Sequence, residues 1–493
     1  MRRYINFILA VVAVATMSAE PPVLRSHIGD SVVAEGGVLT IKCVGKKQNF
    51  NWADTATRDV DVFSPKSVNF HPDGSRFYVN SLEGCATVVY DATTTTKLKV
   101  IPHKFSSGEG PLWSKPSGYY TFTHYKDGAT RAFEGKPVES AFSHGGRYLW
   151  VPYYRRTFDI NAQDPSAIAI IDTHGDSIVR MMETGPLPKM IRCSGDGKTM
   201  AVAHWGDNTV GLIDISGDDP SRWHHLAPVV VDRQLQLNFS LTHSINRDAN
   251  SGNLLRGTVW MPGDRYLLVA CMGGGGIAVI DVPAHRYLGK VTGISNARHL
   301  IISHDWLYAS VNAAGLVQRV PVDSVLTAIE RGGTSFNARG WQTCHVGGGA
   351  RTIEASPSGR YVFAACNSAS HLYVVDTERM AVIARIKVDS YPVGLDISRD
   401  GTLVVVTSQA RSGLGGNAVN LYRVTYADDL ESKAYEQLAP QIAVADTDTV
   451  AIDAKVPGTA ATSIDGTQLK LFVTLGVVAL LLIVVLVMLR RRR

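Results

Sequence analysis

Counting eight residues back from each of seven turn glycines or their equivalents aligns Lys66, Val138, Lys189, Arg256, Arg298, Arg351 and Val393. Five of these seven positions are cationic. Lysine and arginine make up 49 of 493 residues, so chance would place fewer than one cation there. A cation at the edge of an apolar face runs its stem over that face and holds its charge in water. Cations that converge within low-dielectric walls focus positive potential. Arginine can grip a carboxylate or phosphate with two parallel hydrogen bonds. The column therefore predicts an anion-favouring ring. A competing reading has acidic neighbours such as Glu139, Glu354 or Asp396 neutralise the ring as structural salt bridges.

A second group of residues belongs to the same expected face. The ends of the strands that follow the turns bring Tyr153, His204 and Asn312, and the next positions bring Tyr154, Trp205, Asn367 and Gln409. Arg155 extends the Tyr153-Tyr154 pair. Aromatic and guanidinium groups together can stack on and clamp flat or anionic ligands. These residues, with Lys66, Lys189, Arg256, Arg298 and Arg351, are the candidate ligand-binding set. No catalytic or metal-ligating residue is assigned. The fifteen histidines form no His-Glu-x-x-His motif, and no Gly-x-Ser-x-Gly is present. The Cys271-Met272-Gly273-Gly274-Gly275-Gly276 run lacks the Lys-Ser/Thr ending of a nucleotide loop. The six cysteines include no Cys-x-x-Cys-His for haem attachment. No cofactor is expected.

The elements that must position these groups come from an internal repeat. An apolar strand leads into a turn, and a strand rich in Val, Tyr, Phe or Leu leaves it. The turns are His71-Pro72-Asp73-Gly74, Ser143-His144-Gly145-Gly146, Ser194-Gly195-Asp196-Gly197, Met261-Pro262-Gly263-Asp264, Ser303-His304-Asp305, Ser356-Pro357-Ser358-Gly359 and Ser398-Arg399-Asp400-Gly401. A third strand often ends in Asp (Asp172, Asp214, Asp281, Asp376), which can start the next turn. Such a sheet cannot hide both its faces alone. Seven packed radially can, with few exposed edges. The fold class is therefore all-β, a seven-bladed β-propeller over 32–430, with Val38 to Val44 as the outer strand that locks the last blade. The fifth copy is the weakest, with one residue fewer in its turn. Insertions at about Pro102 to Lys136 and Gly217 to Leu255 should project from the same face as the ring.

Phe77-Tyr78-Val79-Asn80 and Asn208-Thr209-Val210-Gly211-Leu212-Ile213-Asp214 resemble the YVTN-type β-propeller repeat family. The resemblance covers roughly Ser64 to Val424. It implies the propeller fold and leaves function broad. Such families include surface-layer proteins, ligand-binding periplasmic propellers, lactonases and cofactor-bearing redox subunits.

The chain ends are of another kind. Arg2 and Arg3, a short apolar run and small residues to Ala19 read as a signal peptide over 1–19. Leu471 to Leu489 is free of charge and long enough to span a bilayer, giving a transmembrane helix at 469–489. Four arginines at 490–493 follow it and place the terminus in the cytoplasm. The Ala-, Thr- and Asp-rich stretch 431–468 reads as a stalk. The expectation is a single-pass cell-membrane protein with its propeller periplasmic or at the cell surface. It would bind an anionic small molecule, glycan or envelope protein. The alternative is a propeller enzyme, a lactonase-like hydrolase or a redox subunit. The net charge of +5 does not suggest a nucleic-acid partner.

Overall fold

Each repeat reverses direction through hydrogen bonds that its own turn residues supply. In the turn Ser398 to Gly401, the Gly401 N–H donates to the Ser398 carbonyl at 2.8 Å. The Ser398 hydroxyl and the Thr402 N–H both donate to Asp400, at 2.5 and 3.0 Å. The Leu403 N–H then returns to the Ser398 hydroxyl at 2.8 Å. Gly401 sits at φ +72°, where a side chain is disfavoured. Ser194 and Asp196 repeat the arrangement in another copy. The turn code is thus a set of local hydrogen bonds that fixes where the second strand starts.

The computed structural model describes residues 26–49, 56–105, 107–120, 133–157, 159–236, 245–409 and 417–438. The signal segment 1–19, the transmembrane stretch 469–489 and the arginine tail 490–493 lie outside the described residues. Among the described residues, no helix is long and apolar enough to cross a membrane.

Seven antiparallel sheets follow one another along the chain. Blade one comprises Pro65–Phe70, Arg76–Ser81, Ala86–Asp91 and Lys97–Pro102. Blade two comprises Ala141–Ser143, Tyr148–Arg156, Ser166–Asp172 and Ser177–Thr184, extended by Phe133–Pro137 and Lys104–Phe105. Blade three is Pro188–Cys193, Thr199–His204, Thr209–Asp214 and His224–Val230. Blade four is Leu255–Trp260, Tyr266–Cys271, Ile277–Asp281 and Arg286–Val291, with Ser335–Phe336 added in parallel. Blade five is Ala297–Ser303, Trp306–Val311, Leu316–Pro321 and Gln342–His345. A helix, α1 (Val322–Glu330), intervenes before its last strand. Blade six is Ala350–Ala355, Tyr361–Cys366, His371–Asp376 and Ala381–Lys387. Blade seven takes Pro392–Ile397, Leu403–Ser408 and Ala418–Tyr426 from the end of the propeller and Leu39–Gln48 and Ser31–Val33 from its beginning.

The expected locking strand is therefore present, and longer than Val38 to Val44. Leu39 pairs with Tyr426 and Gln48 with Ala418. Apolar layers fill the spaces between successive blades. The layer that closes the circle packs Val68, Phe77 and Val88 of blade one on Val405, Val419 and Leu421 of blade seven. Of the aspartates that end third strands, Asp172 and Asp214 accept the N–H two residues on, from His174 and Ser216, whereas Asp281 and Asp376 accept the N–H three residues on, from Ala284 and Arg379. The six cysteines are all free thiols, and five are buried.

The start of the expected stalk is ordered differently. A second helix, α2, spans Leu430–Leu438. Its Glu431 is buried and accepts hydrogen bonds from the Ser356 and Ser358 hydroxyls and the Ser358 N–H. Those serines form the turn of blade six. The chain therefore leaves the propeller on the turn face, opposite the strand entries.

Candidate functional site

The innermost strand of a blade runs from the entry face to the turn face, and in six blades its first residues depart from regular pairing. The register slips between Pro65 and Val68, Pro188 and Met190, Leu255 and Thr258, Ala297 and Leu300, Ala350 and Ile353, and Pro392 and Gly394. Two residues before six of the seven ring positions the chain takes a positive φ: Ser64 50°, Leu187 52°, Leu254 52°, Asn296 53°, Gly349 78° and Tyr391 60°. Such an entry followed by a bulge turns one side chain out of the sheet's alternation. The side chain re-aimed in this way is Lys66, Lys189, Arg256, Arg298, Arg351 or Val393.

All five cations of the ring line one cavity of about 350 Å³ on the entry face. Val138, Tyr154, Arg155, Trp205 and Gln409 line it too, together with Leu82, Glu83, Asp248 and Tyr391. Lys66, Lys189, Arg256 and Arg351 are each buried, at 6–7% exposure. Lys189 makes an ion pair with Asp248 at 3.1 Å, and its ammonium lies 4.0 Å from the Tyr154 ring centroid and 5.0 Å from that of Trp205. Arg256 lies over Trp205 at 5.7 Å, and Arg155 over Tyr154 at 5.7 Å. Trp205 is held by its indole N–H, which donates to the Arg247 carbonyl. Gln409 is tied by its amide to Ser64.

The electrostatics follow from this crowding. Burial first, then the Arg351 and Arg256 charges, hold Lys66 well below the ordinary lysine value. Burial lowers Lys189 to about 7, and Asp248 offsets only part of that effect. Burial and then Arg351 and Arg256 hold Arg298 well below the ordinary arginine value. Burial would raise Asp248, but the Lys189 charge and a Tyr154 hydrogen bond bring it down to about 2. An arginine does not give up its proton in a protein, so the repulsion persists as stored cost.

The neutralising carboxylates are few. Glu139 lies 4.0 Å from Lys66. Glu83 is held by Lys136. No carboxylate lies within ion-pair distance of Arg155, Arg256 or Arg298 among the described residues, and the buried Nε atoms of Arg155 and Arg298 have no hydrogen-bond partner there. Glu354 and Asp396 are not counter-ions of the ring. Burial first and their mutual proximity then raise Glu354, burial raises Asp396, and Arg192 is the cation that opposes both. Asp396 accepts the Phe70 and Ile397 N–H groups.

Four expected site residues lie elsewhere. His204 ends its strand and Tyr153 lies three residues inside the end of its own, and their side chains alternate sideways into the sheet packing. The Tyr153 hydroxyl donates to His103 Nδ1 at 2.9 Å, and His103 passes the chain on to Thr87 and Asn80. His204 Nε2 accepts the Gly185 N–H at 3.1 Å, and Nδ1 meets the Thr209 hydroxyl, which in turn donates to Asp207. Burial takes His204 down to about 3. Asn312 donates to the Ala350 carbonyl at 3.0 Å and staples blade five to the entry of blade six. Asn367 folds over Gly349, leaving that glycine no room for a Cβ. Leu82, Glu83, Asp248 and Tyr391 were not anticipated. Asp248 sits in an insertion that no repeat aligns, and Tyr391 occupies the positive-φ position two residues before Val393, which the repeat does align. Leu82 and Glu83 directly follow a strand end, and strand-exit position was the signal that could have found them.

Blade number, radial packing and a closing strand from the opposite end of the sequence define a seven-bladed β-propeller protein. A solved structure agrees at the level of fold. The chain is similar to Kuenenia stuttgartiensis hydrazine synthase at a TM-score of 0.51 and 14% identity, over 77% of this chain and 100% of that one. It is also similar to the Cps50 (Swd1) β-propeller domain of Myceliophteria thermophila at 0.49 and 14%, over 74% of this chain and 97% of that one. Neither a protein-family model nor a curated protein sequence matches the chain. The resemblance to YVTN repeats thus extends to the fold, and the repeat family itself is unmatched.

Proposed function

We propose that this propeller is a binding module whose channel mouth takes an anionic ligand. The observation that carries the proposal is the convergence of Lys66, Lys189, Arg256, Arg298 and Arg351 from five blades on one cavity. A cluster of buried cations with few carboxylates is costly to fold. It is retained at functional sites because a ligand of opposite charge relieves it. Tyr154 and Trp205 form a wall beside the cations that suits an organic anion, a glycan acid or an acidic side chain of an envelope protein. The sequence of both termini supports a cleaved signal and a membrane anchor, which would hold the module outside the cytoplasm.

Thermal denaturation of the full chain with added citrate or pyrophosphate tests the site. The melting midpoint should rise with anion concentration. In the triple variant Arg256→Ala, Arg298→Ala, Arg351→Ala that rise should vanish, and an equal rise in that variant would refute the site. An absorption spectrum and metal analysis of the same preparation address the enzymatic alternative: a bound chromophore or stoichiometric metal would favour it.

A further inference from the structure

The charge count in the cavity bears on what kind of anion belongs there. Blades three to six present Lys189, Arg256, Arg298 and Arg351 without a break, and Lys66 faces them from blade one. The gaps on either side of Lys66 are filled by the buried Val138 and Val393. With Arg155 the cavity gathers six cations, against which stand Glu139, Asp248 and Glu83, the last already paired with Lys136. A single-charged anion would leave most of the repulsion in place. A cavity of about 350 Å³ has room for about a dozen water volumes, which suits a small group.

Asp248 has the features of an exchangeable counter-ion. It sits in the insertion between blades three and four, and its side chain is 47% exposed while that of Lys189 is 9% exposed. The carboxylate can swing into water, and a ligand that takes its place replaces the Lys189 and Tyr154 contacts it gives up. Lys189 need not follow, because the rings of Tyr154 and Trp205 hold its ammonium independently.

Resting on the anion-binding reading above, we propose that the ligand is a compact oligoanion with at least two phosphate- or carboxylate-type groups, and that it displaces Asp248 from Lys189 as it enters. The exchange replaces one tethered negative charge by several. It also favours the protonated lysines. Lys189 is faced by Asp248, Tyr154, Arg256 and Arg298. Lys66 is faced by Glu139, Arg256, Arg298 and Arg351. Arg155 and Glu83 complete the charged lining. The ligand supplies the negative charge that this surrounding lacks, so binding takes up a proton where Lys189, at about 7, has lost it.

The test is calorimetric titration of the full chain with acetate, monophosphate, pyrophosphate and citrate, at pH 6.5 and 8.5, in two buffers of different ionisation heat. Pyrophosphate and citrate should bind on the order of tenfold or more tighter than the two small anions, each tenfold being one charge-assisted contact of about 1.4 kcal/mol. Their affinity should fall above pH 7 by about tenfold per pH unit for each proton taken up, and the heats should differ between buffers. Asp248→Asn should tighten binding severalfold, while lowering the melting midpoint of the ligand-free protein because the ion pair with Lys189 is lost. Equal affinity for small and multiple anions, or an Asp248→Asn variant that binds no better, overturns this inference and leaves the anion site standing. If no probe binds and the triple arginine variant behaves as wild type, the site reading falls with it.

Discussion

Replacing Lys189 by Met tests the electrostatics of the cavity without any ligand. In the native protein Lys189 titrates near 7, and in the unfolded chain near 10.5. Between these values the unfolded state holds a proton that the native state lacks, so native stability rises with pH. From pH 7 to pH 9 the gain from this residue is about 2 kcal/mol by that linkage. Asp248 contributes nothing to the slope, because its carboxyl titrates near 2 and is ionised throughout. Met matches the stem of lysine and fits between Tyr154 and Trp205 without a charge. Urea denaturation followed by tryptophan fluorescence at pH 7, 8 and 9 measures the difference. The variant should be more stable than wild type at pH 7, with the advantage shrinking toward pH 9. Parallel pH profiles for the two proteins would refute the argument that burial and neighbouring cations depress Lys189.

Further outcomes follow from other parts of the structure. Glu354 titrates above its ordinary value in the folded state because of burial and Asp396. Its contribution is present below the unfolded pKa of 4.5 and is lost as pH rises through the folded value. Glu354→Gln should therefore stabilise the protein at pH 8 relative to pH 5, as read by denaturant midpoints at each pH. His204→Ala strips partners from Thr209, Thr184 and Gly185 inside the sheet and should cost about 2 kcal/mol. Oligoanion affinity should not change, because His204 does not line the cavity. Ile41→Ala in the closing strand, where the side chain is fully buried, should cost about 3 kcal/mol. Hydrogen exchange should then quicken first at the amides of residues 418–426, its pairing partners.

The sequence was informative where the chemistry is local and periodic. Each turn carries its own hydrogen-bonding residues, so Ser194-Gly195-Asp196-Gly197 and Ser398-Arg399-Asp400-Gly401 could be placed without tertiary knowledge. The ring residues were legible because an innermost strand has nearly constant length, which fixes the step from turn glycine to entry. The strand exits were harder. One residue decides whether a side chain enters the mouth, as Tyr154 and Trp205 do, or packs sideways, as Tyr153 and His204 do. In blade five the shorter turn shifts the frame, so the strand ends at Val311 and Asn312 belongs to the loop beyond it. Asp248 comes from an insertion without periodicity, and the bulge that aims the cations depends on backbone angles that residue type does not specify: Ser, Leu, Asn, Gly and, at Tyr391, Tyr all occupy the same positive-φ position.

The pairing of Leu39–Gln48 with Ala418–Tyr426 has a consequence for biogenesis. The earlier strand must wait, without this neighbour, until residues 418–426 have been made. Contacts so distant in sequence form slowly. Until they form, both partners are open edges able to pair with other chains. Nascent or truncated products would also lack the curvature that brings the wall of blade one round to that of blade six. Ligand capture at the mouth would therefore report that synthesis had finished and the ring had shut.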